Sequence, residues 1–247
     1  TLFGDATKNI SVIGNFFLDK KNFLERISNL VDYHDGPVLT LSQYLHSLLL
    51  KSISATKNKV VISGTGADEM FTGYLDHFLL HLNELHKSKD FKENLTNWEE
   101  YISINIREKK INNPNLYIEN NNYRDHIYDN YLTLRKYLLN AEKDEFKEFN
   151  YSKKLFSNRR LNELFNEITP PILNNEDLNS MYYSIENRSP YLDTNLFNLC
   201  FSIPANLLIQ KGYGKYLLRE SLKGILVDEV RLDRQKKGFN CSIDTLI

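Results

Sequence analysis

Two adjacent carboxylates, Asp68 and Glu69, follow a turn of small residues and are the side chains best placed to do chemistry. The turn, Ser63–Ala67, comes directly after the apolar run Val60–Ile62, which predicts a buried strand. Glycines let the backbone approach a ligand closely, and a turn after a strand of an α/β sheet opens onto the ligand crevice. Carboxylates at such a place suit a metal, a phosphate-bound magnesium ion or an amine. The sequence therefore predicts a ligand site at the end of this strand.

Four short segments, in a fixed order along the chain, carry a resemblance to a known family. They are Val60–Tyr74 (VVISGTGADEMFTGY), Met181–Asp193 (MYYSIENRSPYLD), Gly214–Glu220 (GKYLLRE) and Lys236–Phe239 (KKGF). The first resembles the SGxGxDExFxGY box of the asparagine synthetase family, and the second resembles that family's MxxSxExRxPFLD box. The resemblance covers 60–240 and identifies the chain with the family's synthetase domain.

This resemblance implies a fold and a domain organisation. The fold is α/β, with a parallel sheet of the adenine-nucleotide α-hydrolase (HUP, PP-loop) type and a large helical portion. We expect residues 1–247 to be one asparagine-synthetase-like synthetase domain that is incomplete. The family's pyrophosphate loop, SGGxDS, is expected before this strand, but the residues that precede Ser63 contain no such string. The glutaminase domain, with its N-terminal Cys nucleophile, is also missing.

Two interpretations account for the missing loop. In the favoured one, the chain is a fragment of a longer protein, because the core boxes are intact. Such a fragment would bind ATP weakly and be inactive alone, since the backbone amides that cradle the phosphates lie elsewhere. In the other interpretation, the chain is a degenerate relative that serves as a non-catalytic binding module.

The resemblance also implies an activity. Enzymes of this family are glutamine-hydrolysing carbon–nitrogen ligases that activate a carboxylate with ATP as an acyl-adenylate. They release magnesium pyrophosphate and transfer ammonia derived from glutamine to the activated carboxylate. The implied cofactors are ATP and Mg²⁺, and the implied partners are a small carboxylate substrate and glutamine or ammonia. The family often dimerises, so a homodimer is compatible with the resemblance.

Roles within the first box follow from the resemblance. Ser63 and Gly64 would bind ATP through backbone and hydroxyl contacts, and Gly66, also assigned to the ATP site, would keep the turn compact. Asp68 would be the magnesium ligand on the pyrophosphate side. Glu69 is a candidate catalytic and substrate-binding residue that would shape the acceptor site or hold the turn. The alternative for Glu69 is a charge at a helix N-terminus.

Three further groups of residues receive candidate roles. Lys215 opens a predicted helix after a glycine loop and is the candidate catalytic and ATP-binding cation for the α-phosphate; a solvated lysine is the alternative. Arg188 and Glu186 are candidate substrate-binding residues, because a forked guanidinium suits a carboxylate or a phosphate. A structural ion pair of Arg188 with Glu186 or Asp193 is the alternative. Lys237–Gly238 could approach the nucleotide, or form a surface loop.

Thr65 is the main departure from the family pattern, which usually has an acidic residue between the two glycines. We assign Thr65 to the candidate catalytic set, although it cannot act as a base or bind an ammonium strongly at neutral pH. It predicts an acceptor other than free aspartate, such as a sugar uronate, or reduced activity. Thr72 in place of the usual glycine and Tyr191 in place of the usual Phe are milder departures.

Composition excludes several classes of protein. The net charge of −1 and the pI near 6.6 predict neither a nucleic-acid nor a membrane partner, and the apolar runs are too short to span a bilayer. Cys200 and Cys241 cannot form a disulfide scaffold, which fits a reducing cytoplasm. The six histidines show no metal-ligand spacing, and His77, His81 and His86 are predicted to share a helix face.

Periodicity and breakers predict the elements that position these residues. A short strand is predicted at Phe16–Leu18, a polar loop at Asn112–Asn122, and a helix stop at Thr169–Pro171. Helical spacing predicts helices over Asn22–Val31, Leu39–Ile53, Phe71–His86, Tyr123–Leu139, Glu142–Phe149, Asn158–Glu167, Thr194–Ser202 and Lys215–Ile225.

Overall fold

The protein is mixed α/β in the part that the computed structural model describes, residues 22–106, 108–124, 135–139, 147–235, 238–239 and 241–246. The strands are β1 (Val60–Ile62) and β2 (Glu186–Arg188). The α-helices are α1 (Phe23–His34), α2 (Leu41–Ser54), α3 (Ala67–Phe71), α4 (Leu75–Leu85), α5 (Phe91–Tyr101), α6 (Pro114–Glu119), α7 (Leu155–Asn162), α8 (Thr169–Tyr182), α9 (Thr194–Ser202), α10 (Tyr216–Ser221) and α11 (Asp228–Arg231).

Shorter helical turns complete the list of elements. A π-helical turn, Glu163–Glu167, continues α7. The 3₁₀ turns lie at Ser103–Asn105, Lys109–Ile111, Arg135–Tyr137, Pro190–Leu192, Ala205–Leu207 and Ile243–Thr245. None of the helices in the described ranges is long and apolar enough to cross a bilayer.

The two strands pair in parallel, with Val61 opposite Asn187. This pairing brings the first two sequence boxes side by side, and Ser63 N extends the ladder by donating to Arg188 O at 2.8 Å. The prediction that β1 is buried is wrong, since Val60 is 43% and Ile62 75% exposed. The described residues form only a two-stranded sheet with one face open, so alternate side chains of β1 face outward. The HUP-type sheet stays a prediction.

The largest apolar core forms around α4. Leu79, Leu80 and Leu82 are fully buried there and pack with Trp98 and Phe156. Burying a side chain of this size contributes about 1.5–3 kcal/mol. A smaller cluster, Met70, Phe71, Leu164 and Cys200, lies beneath α3. The turn after β1 therefore rests on packed side chains.

Two helix boundaries differ from the sequence predictions. The predicted helix Phe71–His86 is interrupted, because Thr72 has φ +74° and separates α3 from α4. The helix predicted over Asn158–Glu167 does end before Thr169–Pro171, because the π-helical turn that continues α7 ends at Glu167, but a helix that was not predicted, α8, begins at Thr169. Proline suits the first turn of a helix, where its missing N–H is not needed.

Two more segments correct the predictions. The polar loop predicted at Asn112–Asn122 contains α6, which Asn113 caps by accepting a hydrogen bond from Asn115 N at 3.1 Å. The helix predicted over Lys215–Ile225 is shorter, because α10 ends at Ser221.

Other predicted elements are confirmed or lie outside the described residues. The helix predicted over Thr194–Ser202 is confirmed with the same bounds, and those predicted near α1 and α2 are confirmed with ends shifted by a few residues. The strand predicted at Phe16–Leu18 lies outside the described residues, as does most of Tyr123–Leu139 and Glu142–Phe149. In the described parts of these two segments, residues 135–137 form a 3₁₀ turn and residues 147–149 are not helical.

Candidate functional site

The turn after β1 depends on its glycines. Gly66 has φ +91°, a conformation that favours glycine, and a Cβ there would overlap the Leu192 side chain. Gly64 differs, because a Cβ added to it would meet no atom within 4 Å. The backbone at Gly64 is therefore open to a ligand, whereas Gly66 closes the turn against the second sequence box.

A cavity of about 480 Å³ opens at this turn, and we call it the acidic cavity. Its apolar wall comes from α2, β1 and α8, and its polar floor comes from the turn. Three carboxylates line it, those of Asp68, Glu69 and Glu176, and none of the described lining residues is a lysine or an arginine. Burial lowers the pKa of His46, another lining residue, although the Glu176 carboxylate opposes the shift. His46 is therefore neutral near pH 7.

A second cavity, of about 760 Å³, lies on the other side of Asp68, and we call it the basic cavity. Lys215, Arg219 and Arg234 line it, together with Asp68 and Asp233. Asp68 thus lines both cavities.

Asp68 and Lys215 form an ion pair on the wall between the cavities. Lys215 Nζ lies 2.6 Å from Asp68 Oδ1, and the two side chains are 31% and 28% exposed. Lys215 precedes α10 with φ +56°, and its N–H donates to Thr72 Oγ1 at 3.2 Å. Gly73 makes room for the pair, because a Cβ there would overlap the Asp68 carboxylate. The structure therefore brings together the predicted metal ligand and the predicted catalytic cation.

Glu69 lines the acidic cavity but is 2% exposed. Its Oε1 accepts a hydrogen bond from the Tyr74 hydroxyl at 2.5 Å. Burial raises the pKa of the Glu69 carboxyl, and the Tyr74 hydrogen bond opposes the rise. Arg160 Nε donates to the Glu69 carbonyl at 2.9 Å and fixes the backbone of α3. Glu69 thus holds the turn and faces the cavity; its role toward an acceptor stays a prediction.

A buried ionic network supports α4 below the turn. Gly73 N donates to His77 Nδ1 at 3.2 Å, so the ring proton lies on Nε2, which donates to Glu163 at 2.6 Å. Arg159 Nε lies 3.1 Å from Glu163 and 3.6 Å from Asp76. Burial opposes the charge of Arg159, but the surrounding carboxylates raise its pKa above the ordinary value.

Asp76, His77 and Glu163 have ligand atoms within 4.8 Å of one another, close enough for a metal ion. A metal fits poorly there, however, because the Arg159 guanidinium already forms ion pairs with both carboxylates.

The sequence analysis missed Glu176, which lies on α8. Thr65 Oγ1 donates to Glu176 Oε1 at 2.6 Å, and Asn187 Nδ2 donates to Oε2 at 2.9 Å. Ser63 Oγ contributes a longer bond of 3.4 Å to Oε2. Thr65 and Glu176 are 111 residues apart in the chain, so the contact has no local signal. Ser63 and Thr65 belong to the first box and received candidate roles from the sequence, whereas Asn187 occupies an unspecified position of the second box.

Glu186 and Arg188 flank Asn187 on β2. Arg188 Nε lies 2.8 Å from Glu186 Oε1, and the two side chains are 62% and 58% exposed. The structure therefore shows the ion pair with Glu186 that the sequence analysis gave as the alternative for Arg188. Neither residue lines the acidic or the basic cavity. Their predicted substrate-binding role stays a prediction.

The fourth box reaches both cavities. Gly238 lines the basic cavity and Phe239 the acidic cavity, whereas Lys236 and Lys237 lie outside the described residues. Arg234 anchors the preceding residues, because its guanidinium lies between two tyrosine rings, 3.9 Å from Tyr101 and 4.0 Å from Tyr213.

Comparisons with known proteins identify the family of the chain. The family model described as asparagine synthase matches residues 12–246. A curated protein, asparagine synthetase (glutamine-hydrolyzing) 1 of Bacillus subtilis (strain 168), is 41% identical over 68 residues, which are 28% of this chain and 11% of that protein. No solved structure matches the chain. The resemblance seen in the sequence is confirmed, and the chain belongs to the asparagine synthase family.

Proposed function

We propose that this chain is the carboxylate-activating part of an ATP-dependent, glutamine-hydrolysing amidotransferase. It would form an acyl-adenylate, release magnesium pyrophosphate and present the acyl group to ammonia derived from glutamine. Membership of the asparagine synthase family supports the proposal. The observation that carries it is the Asp68–Lys215 pair, which places a carboxylate and a cation on a wall shared by two cavities.

The acidic cavity suits the adenosine part of ATP. Its volume, about 480 Å³, falls within the range of small-molecule sites. Leu49, Ile53 and Ile172 give it apolar walls against which a purine can pack. The open backbone at Gly64 allows close approach, and the Ser63 hydroxyl lies beside it. Ser63 and Gly64 are the two residues of this set that the sequence assigned to the ATP site.

Magnesium fits at Asp68. Hard cations take oxygen ligands, and magnesium typically uses one or two carboxylates together with phosphates and waters. Asp68 offers a partly exposed carboxylate at the boundary of both cavities. The Asp68 carboxylate would hold the ion there while it also contacts the Lys215 ammonium group. When bound, the ion neutralises charge on the pyrophosphate that leaves.

The chemistry requires two displacements. A carboxylate oxygen of the acceptor forms a bond to the α-phosphorus, the bond from that phosphorus to the bridging oxygen breaks, and pyrophosphate leaves with the electron pair. Ammonia then forms a bond to the acyl carbon, loses a proton, and AMP leaves. Lys215 would stabilise the negative charge that develops around the α-phosphorus, where a fixed cation lowers the barrier.

Pyrophosphate release by the complete gene product tests the proposal. The reaction contains ATP, magnesium and either glutamine or ammonia, with a panel of carboxylates that includes aspartate and sugar uronates. We expect release that depends on both magnesium and one class of carboxylate. Release with none of them, by protein that binds ATP, would support a non-catalytic relative instead.

A further inference from the structure

Glu176 is the carboxylate of the acidic cavity that lies outside the four sequence boxes. It projects from α8 towards the turn after β1, and Thr65, Asn187 and Ser63 all donate to it. All three donors are neutral groups. The contacts therefore fix the orientation of the carboxylate without neutralising its charge.

The other described charges of the acidic cavity do not balance Glu176. The Asp68 carboxylate is paired with Lys215, and burial raises the pKa of Glu69, which favours its neutral form. Among the described residues that line the cavity none is a lysine or an arginine, and His46 is neutral near pH 7. The net charge of this wall is negative, and it attracts a cationic ligand group.

We infer that Glu176 is a specificity-determining residue that selects a ligand bearing a primary ammonium group. A carboxylate offers about four lone-pair positions, and the three donors leave one for a ligand. The shared chemistry fits two sources, the amino group of an amino-acid acceptor and the ammonium ion that supplies the nitrogen. This inference rests on the proposed function and names the ligand chemistry of the same cavity.

The inference changes the expectation drawn from Thr65. On sequence, Thr65 predicted an acceptor other than free aspartate, such as a sugar uronate, or reduced activity, because its hydroxyl cannot act as a base or bind an ammonium strongly. In the structure that hydroxyl holds Glu176 Oε1 at 2.6 Å. The carboxylate is therefore supplied by α8 instead of by the turn, and a bare carboxylate such as a uronate would meet a negative wall.

Exchange of labelled pyrophosphate into ATP tests this inference, because it requires the acceptor but no ammonia. The panel pairs amino acids with their deaminated counterparts, such as aspartate with succinate and glutamate with glutarate, and includes galacturonate. We expect amino-bearing acceptors to have a KM lower by roughly tenfold or more, as for one hydrogen bond between charged groups. Glu176→Gln should abolish this preference through the acceptor KM, and any change in the KM for ATP, whose adenosine part is proposed to lie in the same cavity, should be the same with both members of a pair.

Two variants serve as controls. Glu176→Asp keeps the charge and should retain part of the preference. Glu99→Gln removes one carboxylate from the exposed surface of α5 and should change nothing. If Glu176→Gln alters only the KM for ammonium in amide formation, the selected group is the nitrogen donor. Equal KM values within the pairs together with an unchanged KM for ammonium in Glu176→Gln, or a preference for galacturonate, would overturn the inference.

Calorimetric binding separates this inference from the proposed function. If no carboxylate supports exchange, the proposed function fails, and binding of the same paired compounds to wild-type and Glu176→Gln protein decides the inference alone. Tighter binding of amino-bearing compounds supports the inference if it is lost in Glu176→Gln. The thermal unfolding of that variant must be normal, so that the loss does not come from misfolding. Equal binding within pairs, together with ammonium binding that is absent or the same in wild-type and Glu176→Gln protein, contradicts the inference.

Discussion

Lys215 Nζ lies 2.6 Å from Asp68 Oδ1, although the two residues belong to different sequence boxes. The pair stands where the acidic and basic cavities meet. In the proposed function, this cation and carboxylate would act on the phosphates of one bound nucleotide and on its metal ion. The relationship therefore ties the two boxes to one function.

Lys215→Met should lower the turnover of pyrophosphate exchange by about 10²–10³, the range seen when one group that stabilises transition-state charge is removed. The KM for ATP should change much less, because the charge develops after binding. Stability should fall by less than about 1 kcal/mol, since the pair is partly exposed. Lys223→Met, at an exposed lysine, is the matched control. An equal loss in both variants would remove Lys215 from the mechanism.

Gly73→Ala and Gly64→Ala should affect different properties: the first should lower stability, and the second should weaken ATP binding without lowering stability. A Cβ at Gly73 overlaps the Asp68 carboxylate, so alanine displaces the ion pair, and both stability and exchange activity should fall. A Cβ at Gly64 meets no atom within 4 Å, so that variant should fold normally but bind ATP more weakly. Thermal unfolding and ATP titration measure the two effects. If neither variant binds ATP more weakly than the wild type, the nucleotide binds elsewhere.

Thr72 combines backbone strain with a useful hydroxyl. Its φ of +74° is unfavourable for a β-branched residue, and its buried hydroxyl accepts from Lys215 N at 3.2 Å. Thr72→Val keeps the strain and leaves that N–H without its acceptor, so unfolding free energy should fall by about 1–3 kcal/mol. Thr72→Gly relieves the strain and should stay within about 1 kcal/mol of wild type. Denaturant unfolding distinguishes them, and a glycine variant as unstable as the valine variant would refute the strain.

Sequence reasoning succeeded where signals are local. The bounds of β1 and α9 were predicted correctly, because a glycine turn ends the first and Pro204 follows the second. Asp193 also caps α9, accepting from Asn195 N and Leu196 N. Such features act over a few residues and are readable without the fold.

The missed features depend on contacts between distant segments. The prolines at 170 and 171 were interpreted as a stop, so α8, which carries Glu176, was not predicted. Its contact with Thr65 spans 111 residues. The exposure of β1 also depends on the number of strands beside it, which the residues of β1 do not encode.

His81 should make stability depend on pH. Burial lowers its pKa from 6.5 to about 4. As pH falls below 6.5 the unfolded chain takes up a proton before the native protein does, so stability is lost progressively down to about pH 4. The loss should approach about 3 kcal/mol. His81→Leu lacks the histidine that titrates. The free energies of unfolding of the wild type and of His81→Leu, measured in urea, should therefore differ by an amount that changes as pH falls from 6.5 to about 4. Parallel pH profiles would contradict the burial of His81.

Transfer of oxygen from the acceptor to AMP tests the central claim most directly. The complete gene product is given ATP, magnesium and an acceptor whose carboxylate carries ¹⁸O, and the AMP and any phosphate are analysed by mass spectrometry. Attack of that carboxylate on the α-phosphorus predicts one labelled oxygen in each AMP formed. Label in inorganic phosphate, or AMP without label, would contradict activation as an acyl-adenylate.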